Sequence, residues 1–594
     1  SLVNDSTDLT VVDVLFPYVR GFYLGESWED DVFLYPHHAG ERTVAPVREY
    51  ASERFASFWR AAVHRDDADG CYWREINYCG LASMQWMYYH DDANAMYISS
   101  YDPDFLVTGV RAETGGPSDP WMGWGLRKYT AIAPGACWQS HQYGLAVGCE
   151  DWHWGARRYR RWFDSVVSIR PNPGFLKSES VLNQCYNFKR NGVIQNRFAD
   201  IPRMFDEGMD TYGMRHMFIA SWNRSGFDQD YPEYHPDMEL GSCMELAEGC
   251  DYVNRRGGFV TFYINSRIFH IKSDFFERLG IPWSIKTAAG GMYHETYGPH
   301  EFVVLCPSNQ AWQRRLIDTA VWMVRSYGAT GIYLDQLGSA EPFACFDPEH
   351  SHTDIGLFNQ GYMRVLDEVL TKIRAINPRA FLMIENCGDV YGSWVWGNLT
   401  WNGEDYDEFY NMYKYTFPEY VQVNMVNPRR NLEGEAREAR LHADLNRALM
   451  LGSVFWLGMD KVTSLSESER AYVDAAVALR ARLTPLFGGG VFADSEGVVA
   501  CSSGVKVAAW RVSGCGNGVA YVVVNASRAK GAWIELALDA VDAVSAADPG
   551  TTDFTLLGID GTTSRLPVGE PACDVIRVEL PECEVCVLSR GLAL

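Results

Sequence analysis

From residue 180 to about residue 460 the chain alternates short apolar runs with amphipathic stretches. VLNQCYNF (181–188), HMFIASWN (216–223), FVTFYIN (259–265), GIYLDQ (331–336) and FLMIENCG (381–388) are apolar runs of strand length. Helical spacing follows the first four, in IPRMFDEGMDTYG, SCMELAEGCDYVNRRG, WQRRLIDTAVWMVRSYG and GYMRVLDEVLTKIRAI. Strands that are apolar on both faces and alternate with helices belong to a parallel sheet with a helical cover. YVQVNM (420–425) and ALMLGSVFWLG (448–458) are predicted as the seventh and eighth strands. The expected fold class is therefore α/β, a (β/α)8 barrel over residues 176–485. A doubly wound open sheet fits less well, because VLNQCYNFKRNG has a single Gly where a phosphate-binding turn needs several.

The flanks have a different texture. Residues 1–175 hold short strand-like runs (VFLYP, SMQWMYY, AMYISS, YGLAVGCE) separated by turns such as TGGPSDP. They predict an N-terminal β-sandwich-type domain. Within it, DWHWGARRYRRWFDSVV (151–167) has helical spacing and predicts a linking helix. Residues 486–594, with VAYVVVNAS, AWIELAL and CEVCVLS, predict a C-terminal antiparallel β-sandwich.

Composition narrows the partners. Net charge is −24, with no basic run, which argues against nucleic acid and anionic membranes as partners. No apolar stretch is long enough to span a bilayer. The first residues, SLVNDSTDLT, lack a leader pattern, and the 15 cysteines are odd in number and scattered. Both favour a cytoplasmic over a secreted location. Most of the cysteines, Cys185, Cys306 and Cys387 among them, read as reduced core thiols; the CxxC pair Cys583 and Cys586 reads as structural. Aromatic residues make up 14% of the chain; beyond core packing, such rings suit stacking on sugar faces. Nothing in the sequence speaks to oligomeric state.

Side chains at the C-terminal ends of barrel strands reach the active face. Asp335 stands after GIYL and Glu385 after FLMI, on consecutive strands. A carboxylate there costs desolvation unless it has partners or faces a cleft. Adjacent strands lie about 4.8 Å apart, and retaining glycoside hydrolysis needs two carboxyl groups about 5–5.5 Å apart. Apolar neighbours would raise the acid/base pKa of Glu385. Other strand ends offer Trp222 as a stacking wall and Arg224, Asp228, Asp230, Asn265 and Arg267 as sugar-holding groups. His350 and His352 form an HxH without evident further ligands, which favours sugar contact or loop polarity over a metal. Glu404 and Asp405 follow the expected sixth strand, and either can replace Glu385 as the acid. No GxSxG, GxxxxGK[ST] or HExxH is present, which removes the main support for serine hydrolase, nucleotide and zincin readings.

The succession SWNRSGFDQDYPEYHPD, FYINSR, YGATGIYLDQ and FLMIEN resembles the catalytic barrels of glycoside hydrolases in the α-amylase-like superfamily. The likeness is greatest to the group around endo-α-N-acetylgalactosaminidases and their gut-bacterial relatives. That resemblance implies a β-supersandwich before the barrel and a β-sandwich after it. It also implies a retaining α-glycosidase acting on a galactose-, N-acetylgalactosamine- or glucose-type sugar. By its match to the fourth-strand motif Asp335 would be the nucleophile, and Glu385 the acid/base. ENCG resembles the α-galactosidase clan as well, where a sixth-strand Asp is the acid, so Asp405 stays an alternative. The expected partner is a carbohydrate, and no metal or organic cofactor is called for. A non-catalytic carbohydrate-binding protein on the same architecture is the rival reading.

Overall fold

The computed structural model describes residues 1–56, 61–184, 188–400, 408–512, 518–537, 554–566, 575–590 and 592. The chain falls into two compact units. One comprises residues 1–172, 186–202 and 218–420, the other residues 173–185, 203–217 and 421–594.

Eight strands form one nearly closed, barrel-like sheet: β1 (Val181–Asn183), β2 (His216–Ile219), β3 (Phe259–Asn265), β4 (Gly331–Gly338), β5 (Phe381–Asn386), β6 (Gly397–Thr400), β7 (Val421–Met425) and β8 (Val454–Leu457). Their order is β1-β8-β7-β6-β5-β4-β3-β2. The pairings β3–β4, β4–β5, β5–β6, β7–β8 and β1–β8 are all parallel. Every residue of β3 and β4 is buried, as expected of strands covered on both faces. The strands expected near 420–425 and 448–458 are β7 and β8, and the sixth strand ends at Thr400. Glu404 and Asp405 lie outside the described residues.

Local sequence explains the covering helices. Asn309 caps Gln310–Tyr327 by accepting from the N–H groups of Ala311 and Trp312, and Gly328 ends that helix at φ 62°. Ser242 and Glu245 form a reciprocal capping box at the start of Cys243–Arg255. Among the described residues no helix is long and apolar enough to cross a membrane.

In the first unit, two five-stranded antiparallel sheets precede the barrel strands. One runs Val11–Phe22, Met122–Ile132, Thr108–Thr114, Tyr72–Tyr78, His64–Arg65. The other runs Gln142–Gly148, Ala95–Tyr101, Trp86–His90, Val32–Tyr35, Glu41–Val44. Aromatic pairs cross between them: Phe22 with Tyr89 at 5.8 Å and Phe33 with Trp124 at 6.2 Å between ring centroids. An ion pair is sealed in with them. Arg74 donates from both terminal nitrogens to the Glu41 carboxylate, and neither side chain is exposed. His37 and Thr43 also reach Glu41, while Arg74 lies over the rings of Tyr35 and Tyr50. Burial alone would raise the Glu41 pKa, but the Arg74 guanidinium and the His37 contact outweigh it and lower it to about 2. The linking helix is present as Trp152–Val166, with Asp151 accepting from the His153 N–H at its start.

In the second unit, a six-stranded antiparallel sheet and a three-stranded one enclose a core that includes Tyr521, Val523, Ile534, Leu536 and Leu588. Cys586 belongs to that core, and Cys583 packs against it as a free thiol.

Candidate active site

Asp335 sits on β4 directly opposite Asn265 of β3. On the other side of β4, Leu334 pairs with Ile384 of β5, after which the ladder breaks and resumes at Gly338 opposite Asn386. In the β4–β5 ladder Asp335 and Glu385 are therefore each one residue beyond the last regular pair. Immediately after each acid the backbone enters the left-handed region, at φ 65° for Gln336 and 59° for Asn386. This costs about 1–2 kcal/mol for most side chains and least for Asn, Asp and Gly. Gly338 then lets β4 pass the Glu385 carbonyl, which a Cβ would meet at 2.6 Å.

Both carboxylates are held. Asp335 Oδ2 accepts from the Tyr263 hydroxyl at 2.7 Å and from Asn265 Nδ2 at 3.1 Å. Tyr263 and Asn265 are two apart on β3 and so share a face. The amide of Asn265 is oriented by its own oxygen, which accepts from the N–H groups of Arg267 and Ile268. Glu385 Oε2 accepts from the Gln336 N–H at 3.0 Å and from the Ser339 hydroxyl. Among the described residues both of the Asp335 bonds go to Oδ2, and none is made to Oδ1.

Asp228 is the third acid of the cluster. Burial raises its pKa to about 7, the Glu385 carboxylate adds to this and Arg190 opposes it. Burial first, then the charges of Glu385 and Asp228, raise Asp335 well above the usual carboxylate range, against the pull of Tyr263 and Asn265. Asp335 is buried and Asp228 and Glu385 are half-buried, and the mutual repulsion of the carboxylates favours proton binding by Asp335 and Asp228. Such a set can supply both a nucleophile and a proton donor.

The other expected residues divide. Asn265 is in the site as the anchor of Asp335. Trp222 is fully buried, bonded to the Tyr263 carbonyl at 3.1 Å and packed on Tyr234 and Phe262, so it lies in the packing behind the site and offers no open stacking face. Arg224 is exposed. Asp230 is occupied by Ser225 and by His270 at 3.3 Å. Arg267 is buried, pairing with Glu295 at 2.7 Å and donating to the Glu341 carbonyl at 2.7 Å. His350 and His352 belong to a separate cluster with two cysteines. Tyr263, Ser339 and the Gln336 N–H were not expected from the sequence. The period of two in FVTFYIN, which puts Tyr263 on the face of Asn265, is the signal that could have revealed the first.

The comparisons with known proteins agree with this picture at the level of fold. The family described as "Domain of unknown function (DUF6259)" matches residues 139–420, which include Asp228, Asp335 and Glu385. A Bacteroides thetaiotaomicron protein named "Putative glycoside hydrolase" is 29% identical over 219 residues, 36% of this chain and 30% of that protein. A Monosiga brevicollis protein named "Putative glycoside hydrolase 22789" is 26% identical over 353 residues, 54% of this chain and 26% of that protein. The chain thus spans less than a third of the length of either relative. Among solved structures, the α-N-acetylgalactosaminidase NagBb from Bifidobacterium bifidum in complex with GalNAc superposes with TM-score 0.59 at 13% identity, covering 86% of this chain and 81% of that one. The GH36 α-galactosidase AgaA from Geobacillus stearothermophilus superposes with TM-score 0.55 at 13% identity, covering 97% and 76%. At such identities the likeness is one of fold: a parallel barrel with β-sheet domains, shared with enzymes that act on α-linked galactose-type sugars.

Proposed function

We propose that the chain is a glycoside hydrolase that cleaves an α-linked galactose- or N-acetylgalactosamine-type sugar with retention of configuration. The observation that carries the reading is the pair Asp335 and Glu385 on adjacent parallel strands, with one oxygen of Asp335, Oδ2, anchored by both Tyr263 and Asn265. Asp335 Oδ1 attacks the anomeric carbon while Glu385 gives its proton to the departing oxygen. A bond forms between Asp335 and the sugar, and the glycosidic C–O bond breaks. Glycosylation removes the Asp335 charge, which relieves the repulsion on Glu385 and suits it to take a proton from the water that attacks the same carbon, and as that new C–O bond forms the bond to Asp335 breaks and frees its carboxylate. Tyr263 and Asn265 keep Asp335 oriented through both steps. The names of the glycoside hydrolase relatives and the fold shared with α-galactosidase and α-N-acetylgalactosaminidase support the substrate class.

The test is a panel of aryl α- and β-galactosides, N-acetylgalactosaminides and glucosides, with the anomer first released followed by NMR. The reading expects turnover of an α-galactose-type substrate, release of the α anomer, and loss of activity in Asp335→Ala. Full activity in that variant would overturn it, as would first release of the β anomer. Glycan binding without turnover would favour the carbohydrate-binding rival.

A further inference from the structure

Outside the carboxylate cluster, one group of side chains has no part in the chemistry above. Cys306, Cys345, His350 and His352 each point one potential ligand atom into a common space, all within 4.8 Å of one another. Cys306 follows the strand His300–Val304; the other three lie on the excursion between β4 and the helix Phe358–Ile376. Both cysteines are free thiols, and both are buried, as is His350.

We propose that these four residues bind a structural zinc ion that fastens the β4 excursion to the segment after Val304. Two sulfurs and two imidazole nitrogens are the ligand set of a closed, four-coordinate zinc site, and two thiolates balance the charge of Zn²⁺. Tetrahedral bonds of about 2.3 Å to sulfur and 2.0–2.1 Å to nitrogen put ligand atoms about 3.3–3.8 Å apart. Cys345 Sγ and His350 Nδ1 are 3.3 Å apart. The opposite nitrogen of His350 lies 2.9 Å from the Pro282 carbonyl. A carbonyl only accepts, so Nε2 carries the hydrogen and Nδ1 turns its lone pair toward the thiol. Metal-bound histidines are oriented by an outer partner in this way. His352 adds a second observation: its Nε2 is buried and, among the described residues, has no hydrogen-bond partner.

With all four positions taken by protein, no site is left for an activated water, so the ion's role is to hold the loop. The held loop begins at Ser339, which donates to Glu385, and continues through Glu341, whose carbonyl accepts from Arg267. The backbone of the cluster is already tied down, with the Cys306 N–H on Trp283, the Cys345 N–H on Ile355 and the Phe346 N–H on Lys286. Ligand positions fixed before the ion arrives lower the cost of binding it.

The experiment is elemental analysis of the purified chain, followed by reconstitution of chelated, reduced protein with cobalt(II). The expected result is about one zinc per chain, and after reconstitution an intense tetrahedral visible band with a thiolate charge-transfer band in the near ultraviolet. Cys345→Ser and His352→Gln should each lose most of the zinc and the charge-transfer intensity, and wild type treated with chelator should melt at a lower temperature. Protein without zinc that also gives no cobalt spectrum would overturn the proposal. So would a Cys306–Cys345 disulfide found by mass spectrometry in protein kept under reductant, or an unchanged zinc content in both variants. None of these readings depends on sugar hydrolysis, so this proposal and the catalytic one can fail separately.

Discussion

Glu41 and Asp335 are both carboxylates taken out of water within the first compact unit. Between the two antiparallel sheets, Glu41 meets a guanidinium that donates through both terminal nitrogens, and its pKa drops to about 2. At the end of the parallel strands, Asp335 meets a phenol, an amide and two further carboxylates, and its pKa rises well above the usual range. The desolvation is the same in kind, and the presence of a cation decides the outcome. A group that only has to hold two sheets together is given its counter-charge. A group that has to react is oriented by neutral donors and left with unspent electrostatic energy.

The sharpest way to break this contrast is to neutralise each acid. Asp335→Asn should lower kcat on an α-galactose-type substrate by on the order of 10⁴-fold or more, while urea melts show equal or greater stability, because a crowded charge has gone. A large loss of stability would mean that Asp335 is structural, as Glu41 is. Next in size, Arg74→Met leaves Glu41 buried without its guanidinium, with His37 and Thr43 beside it. It should cost about 3–5 kcal/mol of unfolding free energy with kcat unchanged in the folded fraction; an unaltered urea midpoint would sink the account of the pair. Tyr263→Phe removes one donor to Asp335. It should lower kcat/KM about 10–100-fold and move the acid limb of the pH profile to higher pH, since the hydrogen bond favours the ionised form. A smaller rate loss with an unmoved limb would reduce Tyr263 to packing.

The smallest effect lies in the pH dependence of stability. Glu41 has a folded pKa below its unfolded value of about 4.3, so its contribution is full above that pH and is lost as pH falls toward about 2. Asp228 runs the other way. Its folded pKa of about 7 exceeds its unfolded value, so the fold binds a proton that the unfolded chain releases, and stability falls as pH rises from about 4 to 7. Melting curves of wild type and Asp228→Asn across that range should converge at low pH and separate by a few degrees near neutrality, the variant being the more stable there. Parallel curves would contradict the raised pKa.

The barrel was legible because its strands are apolar runs on a regular helix-separated schedule, and even the weaker seventh and eighth fell where YVQVNM and SVFWLG are. The two acids stood out because a charge at the end of such a run is conspicuous. The surrounding roles were less legible. Trp222 reads like a sugar platform in one dimension and is core in three, since Tyr234, Phe262 and Trp322 pack against its ring and leave it no exposure. Arg267 likewise reads as a ligand group and is spent on Glu295 and Glu341. His350 and His352 gave an incomplete ligand set because one missing partner, Cys306, is 44 residues before His350 and another, Cys345, looks like one more apolar cysteine. Contacts that depend on chain reversal leave no period to detect.

The left-handed residues after the two acids carry a lesson for tracing descent. At 13% identity to the solved structures that share its fold, alignments of whole barrels are weakly anchored. What cannot drift freely is the dipeptide: an acid, then a residue that tolerates positive φ, closing an apolar run on each of two successive βα units. Here those dipeptides are Asp335–Gln336 and Glu385–Asn386. β-Branched residues are strongly disfavoured at their second positions by backbone sterics. A search for distant kin can therefore weight acid-plus-turn pairs over overall similarity, and count Val or Ile after either acid as evidence against this geometry.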